Sequence, residues 1–223
     1  MAQREPHTSA GWEPFAGLAA WAKARSNRAV EAEAVELLAP KSGEDILVAG
    51  SGPGVAVALL ADRKTCGRII GIETSASLMR AAVRRNQAYL DVGCVDLVEA
   101  RADAVPLADG SVDGLIAIDA LAPEDKVGRI AREFARVLRP GGRLVSMARD
   151  VGLEQDAGQA EAKLARAIKA LELAGFFDVR HVRMQADKGR TVALTAARRL
   201  SAETARPTER SSAVGAADPI DET

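Results

Sequence analysis

One junction constrains this chain more than any other feature. The apolar run Asp45-Ile46-Leu47-Val48-Ala49 enters Gly50-Ser51-Gly52-Pro53-Gly54, and an apolar, Ala-rich stretch from Val55 to Ala61 follows. A short apolar run closed by glycines reads as a buried strand. Glycines let the backbone adopt angles that a Cβ disfavours and pass close to whatever lies above it. A helix starting directly behind such a turn points free N–H groups into the same space. Strand, glycine turn and helix in that order open a βαβ unit, and hence a parallel sheet.

The alternation repeats downstream. Arg68 to Ile72 reads as a strand ending on Glu73, and Ser75 is placed to cap a helix running to about Tyr89. Val95 to Ala100 and Val112 to Ile118 read as the third and fourth strands. Pro123, with Glu124 and Asp125, suits the first turn of a helix whose stripe is Val127, Ile130, Phe134, Val137 and Leu138. Pro140-Gly141-Gly142 ends it before a fifth strand, Arg143 to Met147. Leu164, Ile168 and Leu171 mark another helix, stopped by Gly175. Two late strands, about Phe177 to Met184 and Thr191 to Ala196, flank Asp187-Lys188-Gly189 and predict a hairpin. Ahead of the first strand, Val30, Ala34, Leu37 and Leu38 recur at helical spacing in a segment that runs from Trp12 and stops at Pro40, Ser42 and Gly43. The expected fold is α/β: a doubly wound, mostly parallel sheet with right-handed crossovers and a C-terminal antiparallel hairpin strand.

Only 3% of residues are aromatic while 48% are hydrophobic, so the core is aliphatic, as suits a parallel sheet covered by helices. The organisation read from this is an N-terminal extension and helix over 1–40, one domain over 41–200, and a disordered tail over 201–223 that is polar and aperiodic. A formal net charge of −1 argues against a nucleic-acid partner. Cys66 and Cys94 show no CxxC spacing and read as reduced thiols. No residue is assigned to a metal. The first ten residues lack the apolar run of a secretion signal and no stretch is long enough for a membrane span, so a cytoplasmic protein is expected.

Ligands of doubly wound sheets sit beyond the carboxyl ends of the strands. After strand one lies the glycine turn, a weak signal by itself, since a tight strand-to-helix turn with no ligand uses the same residues. After strand two lies Glu73, whose carboxylate can accept both hydroxyls of a ribose. After strand three lies Asp103, an acceptor for an exocyclic amine, followed by Ala104, whose N–H can meet a ring nitrogen. After strand four lies Asp119. The dinucleotide fingerprint G-x-G-x-x-G/A does not match, because Val55 stands at its third small position; the run is G-x-G-x-G.

Four stretches carry a resemblance. They are Ile46-Leu47-Val48-Ala49-Gly50-Ser51-Gly52-Pro53-Gly54; Ile69-Ile70-Gly71-Ile72-Glu73; Ala102-Asp103-Ala104-Val105-Pro106-Leu107-Ala108-Asp109-Gly110-Ser111-Val112-Asp113; and Leu138-Arg139-Pro140-Gly141-Gly142-Arg143-Leu144. Over roughly Asn27 to Arg198 the chain resembles the class I S-adenosylmethionine-dependent methyltransferases, in particular the small-molecule group that includes the ubiquinone and menaquinone biosynthesis enzymes. The resemblance implies a Rossmann-like fold with S-adenosylmethionine as cofactor. It assigns Gly50, Ser51 and Gly52 to the cofactor's methionine part, Glu73 to its ribose, and Asp103 and Ala104 to its adenine. Thr74 would pack beside the adenine, and Asp119 would border the sulfonium.

Two departures accompany it. Family members usually carry an acid two positions before the first glycine, where this chain has Val48. Many place a His or an aromatic after strand four, where this chain has Asp119-Ala120-Leu121-Ala122-Pro123. That run also lacks the Asn/Asp-Pro-Pro-aromatic signature of nucleic-acid amine methylation. No residue is assigned as catalytic: methyl transfer from a sulfonium is an in-line displacement in which alignment supplies much of the rate, and Asp119 reads as a cofactor contact rather than a base. His7 lies in the N-terminal segment and His181 in a late strand, away from the site. Trp12, Phe15 and Trp21 either line an acceptor site beneath an N-terminal lid or pin the first helix to the domain. The expected function is methyl transfer to a small, apolar or amphipathic metabolite, with a non-catalytic or regulatory S-adenosylmethionine-binding protein as the alternative. A nicotinamide-dependent oxidoreductase is disfavoured by Val55.

Overall fold

The computed structural model describes residues 28–63, 67–121, 125–149, 157–186 and 189–199. Helix α1 spans 28–38. It is followed by β1 (Ile46–Ala49), α2 (Val55–Asp62), β2 (Ile69–Glu73), α3 (Ala76–Asp91), β3 (Val95–Glu99), β4 (Val112–Ile118), α4 (Val127–Val137), β5 (Leu138–Arg149), α5 (Ala157–Leu173), β6 (Phe176–Ala186) and β7 (Gly189–Arg198).

The strands form one seven-stranded sheet in the order β3-β2-β1-β4-β5-β7-β6. β1 pairs in parallel with β2 and β4, β2 with β3, and β4 with β5. β7 runs antiparallel to both β5 and β6, the expected hairpin. The order reverses between β1 and β4, which opens a crevice above the carboxyl ends of those two strands.

Side chains of β1 alternate between the two faces. Leu47 and Ala49 share one core with the fully buried Phe134 of α4 and with Leu171 of α5. Ile46 and Val48 share the other with Val30, Ala34, Val35 and Leu38 of α1 and with Val57 and Leu60 of α2. Burying a Phe stabilises by about 1.5–3 kcal/mol, and truncating Phe134 to Ala, which leaves a void, costs about 3–5 kcal/mol. Of the expected apolar stripe of α1, Val30, Ala34 and Leu38 are buried; Leu37 is 38% exposed, and Val35 is buried in its stead.

Ser75 caps α3 as expected, its Oγ accepting the Leu78 N–H. Gly175, at φ 96°, follows the end of α5. Two boundaries differ from expectation. Helix α4 starts at Val127 with Lys126 as its cap residue and no acid in its first turn, so Asp125 lies ahead of the helix rather than inside it; Pro123 and Glu124 lie outside the described residues. Strand β5 starts at Leu138, not Arg143. Leu138 pairs with Val112, the next pair is Gly114 with Arg143, and Arg139 to Gly142 form an irregularity between them. Gly141, at φ 81°, makes that excursion possible.

No helix among the described residues is long and apolar enough to cross a membrane. Trp12, Phe15, Trp21, His7, Cys66, Asp187, Lys188 and the tail over 201–223 lie outside the described residues.

Candidate functional site

The ends of β1, β2, β3 and β4 converge on one cleft of about 940 Å³. Gly50, Gly52, Glu73, Thr74, Asp103, Ala104 and Asp119 all line it. Ser51 does not. It is 1% exposed, its N–H donates to the Ile72 carbonyl at 3.0 Å, and its Cβ faces Gly71 across the turn.

Each glycine of the turn answers to a different neighbour. Gly50 has φ 71°, and a Cβ there would overlap the Ile118 carbonyl oxygen at the end of β4. Gly54 has φ 77°, and a Cβ there would overlap the Asn86 amide of α3 and lie 3.0 Å from Ala82 Cα. Asn86, fully buried, donates through Nδ2 to the Gly54 carbonyl at 3.1 Å and to that of Ala82 at 2.9 Å.

Glu73 is 9% exposed. Its Oε2 accepts the Gly52 N–H at 2.9 Å, and its Oε1 accepts those of Thr74 and Ser75, each at 2.9 Å. A carboxylate offers about four acceptor sites, so most of the capacity expected for a ribose is already engaged by backbone. What Glu73 presents to the cleft is a carboxylate locked in one orientation.

Asp103 is held by a fork. Arg101 donates from Nε and Nη2 to its two oxygens, both at 2.7 Å. This hydrogen-bonded guanidinium, outweighing burial, pulls the carboxyl down to about 2, with Arg129 and Lys126 adding smaller pulls. Asp103 is therefore an anion and an obligate acceptor near neutral pH. The expectation for the Ala104 N–H is corrected: it donates to the Arg101 carbonyl at 3.1 Å, because residues 101–104 close a tight turn, so it is not a free donor. Asp119 takes a left-handed backbone, φ 53°, with its N–H on the Met147 carbonyl at 2.8 Å. A non-glycine residue there costs about 1–2 kcal/mol, a strain that the surrounding sheet sustains.

The segment after Asp103 is fastened by Arg136 of α4. Its guanidinium donates to the Val105 carbonyl at 2.8 Å, the Leu107 carbonyl at 2.7 Å and Asp109 at 2.8 Å, and pairs with Glu133 at 2.9 Å. Glu133 in turn accepts the Val105 N–H at 2.9 Å.

Four charged residues of the cleft were not foreseen. Glu99, Arg101 and Lys126 line it, and so does Glu31 of α1, which is 2% exposed and accepts the Ala56 N–H of α2 at 2.7 Å. The sequence does hold a signal for Glu31: it sits among Val30, Ala34 and Val35, on the buried stripe of its helix, where an unpaired acid is costly. His181 is exposed on β6, the edge strand farthest from β3. Among the described residues no cluster of His, Cys, Asp and Glu is arranged to hold a metal ion.

Residues 47–146 match a family model described as a methyltransferase domain. The chain is 33% identical over 115 residues to the ubiquinone/menaquinone biosynthesis C-methyltransferase UbiE of Rubrivivax gelatinosus, covering 51% of this chain and 42% of that protein. It is 33% identical over 112 residues to an O-methyltransferase of Pyrenophora dematioidea, covering 50% and 42%. The chain thus spans less than half the length of these curated relatives. In fold it is similar to the geranyl diphosphate C-methyltransferase of Streptomyces coelicolor solved with S-adenosyl-L-homocysteine, with a TM-score of 0.61 at 16% identity over 76% of this chain and 78% of that one. The strand order, the glycine turn and the acids at the strand ends agree with these matches: over residues 47–146 the chain is similar to methyltransferase domains, and its fold is that of solved methyltransferases.

Proposed function

We propose that this chain binds S-adenosylmethionine in the cleft and transfers its methyl group to a small, apolar or amphipathic metabolite. The observation that carries this reading is the charge of the cleft. Glu31, Glu73, Glu99, Asp103 and Asp119 line it against only Arg101 and Lys126, and Arg101 is already paired with Asp103. Excess carboxylate suits a sulfonium cation and opposes a dinucleotide pyrophosphate. The walls between the charges, Ile72, Val98, Ala100, Ala102 and Pro106, are apolar and suit the faces of an adenine.

The bound cofactor supplies an electrophilic methyl group. The chain's own groups then orient and shield. Glu73 and Gly52 hold the turn beneath the site, Asp103 offers its anion to a donor, and Asp119, strained in place, adds charge at the end of β4. No side chain is assigned as a base, so the acceptor is one that reacts without help or brings its own acidity. Ile118, Ala120 and Ile130 make the acceptor side apolar. Relatives named for quinone biosynthesis and for a prenyl diphosphate fit that character. The segment 1–40, with Trp12, Phe15 and Trp21, is proposed to cover this side.

Calorimetry with S-adenosylmethionine and S-adenosylhomocysteine tests the first half, and transfer of isotopically labelled methyl into an apolar metabolite extract tests the second. Binding with label appearing in the organic phase is expected. Absence of binding at millimolar cofactor sinks the proposal. Binding without transfer to any acceptor favours a regulatory S-adenosylmethionine-binding role, the reading that Val48 motivates.

A further inference from the structure

Helices α4 and α5 leave a groove of about 280 Å³ between them. Arg132, Arg166 and Lys169 stand around it, and Val127, Leu173 and Ala174 give it apolar walls. Leu173, the last residue of α5, is 76% exposed. Arg132 and Lys169 are exposed as well and make no ion pair among the described residues. The groove is therefore cationic at its rim and apolar within, which suits an acidic segment that also carries an apolar side chain. The end of the sheet delivers such a segment to it. β7 ends at Arg198, and the N–H of Arg199 donates to the Gly175 carbonyl at 3.2 Å. Gly175 follows Ala174 directly, so the chain beyond Arg199 departs beside the wall of the groove. After Arg210 every charged residue of that chain is an acid: Asp218, Asp221 and Glu222, next to Pro219 and Ile220.

We infer that the acidic segment Asp218 to Glu222 of this same chain docks into the groove between α4 and α5, with its carboxylates on Arg132 and Lys169 and with Ile220 against Leu173. Reach does not limit this. A chain of about 19 residues without fixed structure, the separation of Asp218 from Arg199, spans roughly 25 Å between its ends. That is about the length of the whole 17-residue helix α5. Exposed ion pairs are individually weak. Tethering offsets this, because a short linker holds the segment at a local concentration of about millimolar. A separate acidic partner has no such advantage, and the same segment of a second copy gains it only where two copies are already joined. Docking would cover Leu173 and tie the end of the chain across α5 to α4.

Backbone NMR on the full chain tests this. In the parent, the heteronuclear NOEs of residues 218–222 are expected to rise well above those of an isolated peptide spanning 214–223. The double variant Arg132→Glu with Lys169→Glu is expected to return them to the peptide's values and to shift the amide resonances of Val127 and Ala174. Both substitutions lie on exposed positions, and unchanged resonances along β1 and β4 show that the domain stays folded. Salt at about 1 M, where charges are screened within about 3 Å, is expected to release the segment in the parent too. Adding Asp221→Lys and Glu222→Lys to the double variant restores opposite charges and is expected to restore the NOEs. Parent values no higher than the peptide's overturn the inference. So does order that survives the double variant, because the segment then lies elsewhere. Order that appears only as protein concentration rises also overturns it, and assigns the groove to the tail of a second copy.

Discussion

Glu73 Oε2 accepts the N–H of Gly52 at 2.9 Å, which makes the acid at the end of β2 and the glycine turn after β1 a single hydrogen-bonded unit. A carboxylate that would meet a ribose is also the clamp that shapes the floor beneath it. Cofactor affinity and local order are thereby linked through one side chain.

Glu73→Ala leaves the N–H groups of Gly52, Thr74 and Ser75 without their acceptor. Each hydrogen bond to a charged group contributes about 1.5–3 kcal/mol, so a lower melting temperature and at least about a tenfold loss of cofactor affinity are expected. Glu73→Gln does not rescue, because one of its two oxygens becomes an NH₂ facing N–H donors. Thermal melts and calorimetry on both variants check this; full affinity in Glu73→Ala would remove Glu73 from the site.

Gly50 and Gly43 separate backbone strain from collision. Both have positive φ, 71° and 79°, but a Cβ at Gly43 meets nothing within 4 Å whereas one at Gly50 runs into the Ile118 carbonyl. Gly43→Ala should cost about 1–2 kcal/mol, the left-handed penalty alone. Gly50→Ala should cost clearly more and abolish cofactor binding. Equal costs by denaturant unfolding would refute the close packing of the turn on β4.

Arg136 should resist conservative replacement. A lysine presents one ammonium where the guanidinium now serves Val105, Leu107, Asp109 and Glu133 together. Arg136→Lys and Arg136→Ala are therefore both expected to speed amide exchange across Val105 to Asp109. They should also weaken cofactor binding through the neighbouring Asp103. Retained protection in Arg136→Lys would count against the fork.

Asp103 sets the acid edge of the site. Its carboxyl titrates at about 2 in the folded chain against an ordinary value of 3.8. A lowered folded value contributes stability that is present above the ordinary value and is lost as pH falls through the folded one. That contribution therefore declines from about pH 4 to about pH 2 and changes little between pH 5 and 8. Arg101→Ala removes the largest cause and should raise the value toward 3.8 or beyond, since burial then faces only the distant Arg129 and Lys126. Carboxyl-detected NMR titration reads this directly. The Arg–carboxylate pairs of Glu44 with Arg143 and Glu133 with Arg136 lower those acids too and add to stability with the same sign.

Much of the fold was legible because local pattern and tertiary demand coincide. Val112 to Ile118 is a strand end to end, and Ser75 caps the helix its hydroxyl suits. The start of α4 was misread because Pro123 and Glu124 mimic a first turn while the chain begins its helix at Val127. The early start of β5 was hidden because Leu138 belongs both to the apolar stripe of α4 and to a pair with Val112. At the site, residue types at the strand ends were readable. Their engagement was not: the forks of Arg101 on Asp103 and of Arg136 on Val105 and Leu107 depend on side-chain geometry. Glu31 stayed unseen because its partner, Ala56, is 25 residues away and is met only when α1 packs on α2.

The glycine turn has a consequence for protein engineering. Its five residues hold one bond among themselves, the Gly54 N–H on the Ser51 carbonyl at 2.9 Å, and take the rest of their shape from elsewhere. Gly50 is fitted to the Ile118 carbonyl of β4, Gly52 is tied to Glu73 of β2, and Gly54 is pressed on Asn86 of α3. Grafting Gly50 to Gly54 onto another strand–helix junction would transfer the letters without the shape. The smallest portable unit is the turn together with one residue from each of three other elements, a module defined in space and invisible as a contiguous segment.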